Sequence, residues 1–419
     1  MKLSTLILLT TAATAVTPAF ANDPIKIKPI IDARLRWEDV DQVGKANKAD
    51  AVTARVRLGF EATLMPKITF LAESTATLAI DKDYYNATPN SKQPTGTYPT
   101  VADPQTIGLN RLQLQYKDKK TTFTVGRQRI NLDDQRFVGS AGWRDNEQTF
   151  DAVRLETLLM KNLKADVTYA WKDNTIYGID GVGANDGHVD GDNVFGSLAY
   201  TTKIGTLTGF GYVVNQDNAA RVQFSSKTFG VRFAGKYAFS KKTSLAYTLS
   251  YANETDVKLN PKSFSANYFL GDLALSSQGF TLGGGYEVLG ADTSAHVKLG
   301  GALTTVSFQT PLATLHKWNG WADKFLTTPA TGLTDAYGSF GYTTLKVKPL
   351  TSLGAMVIYH DYSSDVASLH YGHEWDAQIV AKMKKYTFLI KYADFSTSSG
   401  VPKGITNTKK IWASLEWAF

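Results

Sequence analysis

The sequence predicts an all-β chain: a transmembrane, antiparallel, up-and-down β-barrel of about eighteen strands. Three observations carry that expectation. First, apolar and polar residues alternate over long stretches. Val52, Ala54, Val56, Leu58, Phe60, Ala62 and Leu64 fall two apart, with Thr53, Arg55, Arg57, Gly59, Glu61 and Thr63 between them. A strand sends alternate side chains to opposite faces, so one face is greasy and the other charged. Second, short and long connections take turns along the chain, which is the asymmetry of outer-membrane barrels. Third, after the N-terminus no apolar run approaches the roughly 20 residues of a membrane helix. The chain also shows no amphipathic helix of more than a few turns, so lipid or further strands must cover the greasy face. A mean hydropathy of −0.20 does not oppose this, because the lumen-facing half of every barrel strand is polar.

Each element follows from its own pattern. Lys2, the apolar residues Leu3, Leu6, Ile7, Leu8 and Leu9, and the Ala19-Phe20-Ala21 ending read as a secretory signal over residues 1–21. Residues 22–419 then form the barrel. With no cysteine in the chain, stability must come from closed hydrogen bonding rather than disulfides. The first strand spans 25–37, with Ile27, Ile31, Ala33, Leu35 and Trp37 opposite Lys28, Asp32, Arg34 and Arg36. The 52–64 strand turns at Met65-Pro66 and returns to Ile80. A polar loop over 81–105 follows. Leu112, Leu114 and Tyr116 alternate with Arg111, Gln113 and Gln115 before the Asp118-Lys119-Lys120 turn. The same grammar repeats through Val153–Leu159, Val167–Trp171, Phe210–Val214, Phe229–Phe239 (with Arg232 on the polar face), Leu245–Tyr251 and Trp375–Met383. It ends on Ile411, Ala413, Leu415, Trp417 and Phe419. A final aromatic on the last strand resembles the signal read by the barrel-insertion machinery. Short lysine-marked turns define one rim, expected to be periplasmic.

Ten of the twelve arginines precede Leu155. Arg34, Arg36, Arg55, Arg57, Arg111 and Arg154 occupy the polar, lumen face of neighbouring strands, so one wall of the pore is expected to be arginine-rich. A guanidinium stays charged and forks two N–H bonds to a carboxylate. Such a wall selects anions, or it pairs with Glu38, Glu61, Glu73 and Glu156 in a ladder that fixes barrel shape; the two roles are compatible. Arg127 and Arg129 break the pattern. Alternation from Phe123 and Val125 aims them at lipid, where a midplane arginine costs about 2–4 kcal/mol. A bulge or the strand end must therefore turn them inward or onto the rim.

Several motifs resemble the alginate-export family of outer-membrane porins. They are Gly126-Arg127-Gln128-Arg129, Gly142-Trp143-Arg144-Asp145-Asn146, Phe150 to Leu155, Phe308 to Leu312, His316 to Asp323, Tyr359 to Asp365 and Glu374-Trp375-Asp376. The resemblance implies an eighteen-stranded barrel in the bacterial outer membrane, passing an alginate-like polyuronate through an electropositive lumen. It carries Arg127, Arg129, Arg144 and Arg154 into that lumen, whereas Arg34, Arg55 and Arg57 rest on alternation. The expected partners are an anionic polysaccharide, outer-membrane lipids and the insertion machinery. Nucleic acid is not among them, because the basic residues divide between turns and lumen. The alternative readings are a general or small-anion porin and, from another class, an outer-membrane enzyme or receptor.

The insertion at 291–334 is too long for a simple connection. It is expected to fold into the barrel mouth as a constriction or lid, with Leu315, Trp318, Ala322 and Phe325 at helix-like spacing. Enzyme signals are weak: no Ser/His pair stands on a strand, and His370-x-x-His373 reads as an incidental surface pair. No catalytic residue, metal or cofactor is expected.

Overall fold

A computed structural model describes residues 25–87, 96–257, 259–345 and 347–419; the expected signal at 1–21 lies outside them. Eighteen strands form one closed antiparallel sheet. They are β1 (Lys26–Gln42), β2 (Ala49–Met65), β3 (Ile68–Asp81), β4 (Thr106–Lys117), β5 (Thr121–Gln128) and β6 (Thr149–Met160). Next come β7 (Leu163–Asn174), β8 (His188–Thr201), β9 (Thr206–Val214), β10 (Ser226–Ala238), β11 (Thr243–Asp256) and β12 (Ser265–Ser277). The circuit ends with β13 (Phe280–Leu289), β14 (Leu333–Thr344), β15 (Ser352–Ser363), β16 (His370–Met383), β17 (Tyr386–Thr397) and β18 (Thr408–Ala418). Each strand pairs with its sequence neighbours, and β1 closes the ring against β18 from Asp32↔Ala418 to Gln42↔Thr408. Closure leaves no unpaired edge, which lipid demands, since each unsatisfied backbone group there costs several kcal/mol.

Alternation decides the two faces. Leu35, Trp37, Val56, Leu58, Leu112, Leu114, Phe123 and Leu155 are exposed on the outer wall, while Arg36, Glu38, Thr53, Arg55, Glu73 and Thr75 between them are buried inside. Such an apolar exterior has only one stable solvent, the hydrocarbon of a membrane. Eight short turns mark one rim, and seven of them carry an exposed lysine, from Lys67 and Lys119 to Lys384 and Lys385. The start of β1 and the end of β18 lie at this rim.

The longer connections leave the opposite rim, and two of them turn inward. Loop L3 (129–148) and loop L7 (290–332) meet inside the barrel, where Val138 bridges Leu312 and Gly139 N–H bonds Leu312 O at 2.9 Å. The core therefore sits in the lumen. Phe137 of L3 packs edge-on against Tyr268 of β12 and Phe308 of L7, with centroids 5.3 and 6.0 Å away. L7 contains no helix beyond the single 3-10 turn Leu315–Lys317. The helix-like spacing of Leu315, Trp318, Ala322 and Phe325 was thus misleading. Gly320, at φ +83°, brings the backbone so close to the wall that a Cβ there would meet Tyr362 Oη at 2.2 Å, and a helix would hold the chain off.

Candidate functional site

The inward faces of β1–β6, joined by carboxylates from β7, β18, the 82–105 connection and the two inner loops, build a series of neighbouring ion-pair clusters. Register creates them: Arg34 lies opposite Arg55, and Asp32 opposite Arg57. Two arginines side by side need carboxylates between them, and β18 and L3 provide these. Arg34 donates to Glu416 at 3.1 Å and meets Asp145 at 3.4 Å. Arg55, fully buried, holds Asp32 and lies 3.5 Å from Glu416. Arg36 reaches Asp103 at 3.1 Å and lies over the Trp143 ring at 4.2 Å. Arg57 has the loosest pairing, 3.6 Å to Glu147, with its Nε buried and without a partner among the described residues.

Nearer the accessible lumen the pairing changes form. Arg111 donates Nε and Nη2 to the two oxygens of Glu73 at 2.9 and 2.7 Å. Arg154 does the same to Asp166 at 3.0 and 2.6 Å, beside a pocket of about 220 Å³. Arg129 places Nε and Nη2 on Glu147. Arg232 donates Nε to Asp134 of L3 at 3.0 Å. Side-on pairing uses one edge of each fork and leaves Nη1 of Arg111, Arg129 and Arg154 without a hydrogen bond among the described residues. Arg129 is the most open, with 31% of its side chain exposed.

Arg127 corrects the lumen expectation carried over from its motif. It sits in register with Leu112, whose side chain is exposed on the outer wall, and with Asp151. It pairs with Asp151 at 2.7 and 2.9 Å and caps Leu109 O at 3.2 Å. Gly126, at φ +109°, packs so tightly on β4 that a Cβ would touch Leu112 O at 2.3 Å, and β5 pairs with β4 and β6 through it without a register shift, so alternation is preserved. Arg129 lies one residue past the end of β5 and turns inward.

L7 is bound to the far wall by a second cluster that sequence reasoning did not assign. Ala322 N–H donates to Glu374 at 2.6 Å and Trp321 N–H to Asp376 at 3.1 Å. Asp323 accepts from Lys410 at 2.7 Å and Arg144 at 3.0 Å. Burial alone would raise Asp323, yet His316, Lys410 and Arg144 hold it well below the usual carboxylate range. Arg144 also meets Glu38 and Asp103 at 3.4 and 3.5 Å. Arg136 ties L3 to L7 and the wall, donating to Glu287 at 2.6 Å, Thr310 at 2.9 Å and Asn319 at 3.2 Å.

His316 is the centre of this anchor. Its ring stacks on Trp143 at 4.5 Å. Nδ1 donates to Asp323 at 2.7 Å, and Nε2 accepts from the Lys391 ammonium at 2.8 Å. A carboxylate on one nitrogen and an ammonium on the other fix the neutral tautomer. Burial, with Lys391 and Arg144 alongside, pushes its pKa down to about 3 against the pull of Asp323. Lys391 lies between the outward Ile390 and Tyr392, but Lys410 follows Lys409, and the meeting of either lysine with L7 was not readable in the sequence. Among the described residues no cluster of three or more His, Cys, Asp or Glu forms a metal site.

Comparison with known proteins agrees with this architecture. The sequence profile described as alginate export matches residues 31–255, more than half of the chain. No curated protein sequence matches it. Three solved structures share the fold. Pseudomonas aeruginosa OpdL is 13% identical with a TM-score of 0.66, covering 94% of this chain and 98% of its own. A BenF-like porin from Pseudomonas fluorescens Pf-5 is 11% identical with a TM-score of 0.67, covering 94% and 98%. Pseudomonas aeruginosa OpdK, solved with vanillate, is 10% identical with a TM-score of 0.64, covering 94% and 98%. A closed barrel with a lipid-facing exterior, two inner loops and a matching profile place the chain in the alginate export family, as a channel of the bacterial outer membrane.

Proposed function

We propose that this channel passes acidic saccharides, alginate-like polyuronates first among them, by diffusion along half-paired arginines. The observation that carries the reading is the side-on pairing of Arg111, Arg129 and Arg154, each with Nη1 turned away from its carboxylate. A bare guanidinium would hold a uronate too long; one already neutralised on one edge offers a shallow site. Successive shallow sites admit an anion and release it, which conduction requires. Arg34, Arg36, Arg55, Arg57, Arg144 and Arg232 hold the ladder that keeps those sites in place, and L7 narrows the passage as a constriction. Catalysis has no part in the mechanism.

Liposome swelling tests it. Proteoliposomes should admit a mannuronate disaccharide faster than a neutral disaccharide of equal size. R129Q, which keeps the hydrogen bond to Glu147 but removes the charge, should reduce that preference several-fold. Equal rates for the two sugars would reject the reading. A second reading, a channel for small ring carboxylates, draws on the shared fold of OpdK with vanillate; vanillate entering faster than the disaccharide in the same assay would favour it.

A further inference from the structure

A cavity of about 320 Å³ lies among the long loops at the outer mouth, bordering the anchor where Arg144 neutralises Asp323, both of which line its floor with Trp143 and His316. It is enclosed by L3 and L7 below and by the connections 175–187 and 215–225 above. Its volume falls at the lower end of ordinary small-ligand sites. Three side chains with donors unused among the described residues border it. Arg221 spends Nε on Ala184 O at 2.9 Å and has no carboxylate within 4.0 Å among the described residues. In this it differs from every arginine of the ladder. The Tyr177 hydroxyl makes no hydrogen bond among the described residues. Burial raises its pKa, while Arg221 and Arg144 are near enough to pull against that rise, so it remains a donor at neutral pH. Trp143 lines the cavity too, and its indole N–H is buried without a partner among the described residues. Phe224, Leu315 and Leu326 complete an apolar wall.

Unused donors around a chamber with an apolar wall, its one lining carboxylate already neutralised by Arg144, suit an acceptor-rich head on a compact ring. We infer that this cavity is a binding subsite for a six-membered ring carrying a carboxylate. Arg221 receives the carboxylate, Tyr177 donates to a ring oxygen substituent, and the apolar wall covers the ring face. A uronate unit and an aromatic acid share this chemistry. The site would load or retain one acidic ring at the outer mouth before or after its transit. This inference rests on the acidic-saccharide reading for its ligand class, not for its geometry.

Equilibrium binding to the purified full-length barrel tests it, with mannuronate, benzoate and glucose as probes. Mannuronate or benzoate should bind and glucose should not. R221Q should weaken binding about tenfold, the loss of one charge-assisted contact. A220F, which fills the chamber from its lip, should abolish it and guards against misfolding of the first variant. Mannuronate alone binding identifies an acidic-sugar subsite; benzoate alone identifies an aromatic-acid subsite. Glucose binding as well as the acids, or binding untouched by both variants, would overturn the assignment. The reversal potential of the unmodified channel is read in parallel. Cation preference with Arg221-dependent binding would remove the transport reading and keep the cavity. Anion preference without such binding would do the reverse.

Discussion

Single residues separate into holders and contacts. Arg136 is a holder: its guanidinium is buried between β13, L3 and L7, with Glu287 as counter-charge. Removing one partner of a buried pair typically costs about 3–5 kcal/mol, because the other charge stays behind unpaired. E287Q should therefore loosen L3 from L7 and raise protease cleavage within 129–148 in folded barrels; unchanged cleavage would show that the pair does not secure the loops. Arg34, Arg36, Arg55, Arg57, Arg111 and Arg154 were legible as inward positions because strand parity leaves no choice once one face meets lipid. Parity also aimed Arg127 outward, as the structure has it; the family motif pointed the other way, and local geometry won. What parity cannot give is partners. Asp103, Asp145 and Glu147 come from loops, and no periodicity announces where a loop carboxylate will stop.

At the scale of elements, L7 is the device with two states to test. Its closed position buries a neutral His316 with pKa about 3, whereas a released, solvated histidine titrates near 6.5. The closed state thus binds fewer protons. It keeps its full advantage above about pH 6.5, then loses about 1.4 kcal/mol per pH unit as pH falls toward 3. At pH 5 the loss reaches about 2 kcal/mol. Lys324, pushed down by burial to about 8, is essentially protonated in both states by pH 6.5, and Asp323, held low in the closed state, adds its own loss only as pH nears the ordinary carboxylate range. Single-channel conductance should rise or begin to flicker between pH 7.5 and 5, and H316Q should flatten that dependence. A pH response that survives H316Q would assign it elsewhere, with Glu374 and Asp376 next in line. Deleting 308–329 should raise conductance at every pH; no change would remove L7 as the constriction. The sequence marked this insertion by its length and by the motifs at 308–312 and 316–323, not by where it would bind. Its inward path depends on contacts to Glu374, Asp376, Lys391 and Lys410, all distant in the chain.

For the whole molecule, the charge distribution is the consequential feature. The lumen arginines are numerous, yet each of the ten singled out from the sequence meets a carboxylate within 4.0 Å or in direct hydrogen bond. Among the described residues, cations with no carboxylate within 4.0 Å include the lysines of the short-turn rim, Lys324 and Lys391 inside the barrel, and Arg221. In the proposed mechanism the ladder sets position, and a residual positive potential would set an anion preference. The barrel itself was almost wholly readable, since closure, strand number and loop asymmetry all follow from a two-residue period repeated along the chain. The membrane also enforces that period from outside. L114R, placing a charge on the lipid face, should cost about 2–4 kcal/mol if it sits near the midplane, seen as a lower unfolding temperature of the folded barrel on gels; an unshifted transition would contradict the outward placement of β4.

The most direct test of acidic-saccharide passage is electrical. In a planar bilayer under a salt gradient, the channel should show an anion-preferring reversal potential, and oligomannuronate should interrupt its current in a concentration-dependent way. A cation-preferring potential, or a current indifferent to oligomannuronate, would contradict the account.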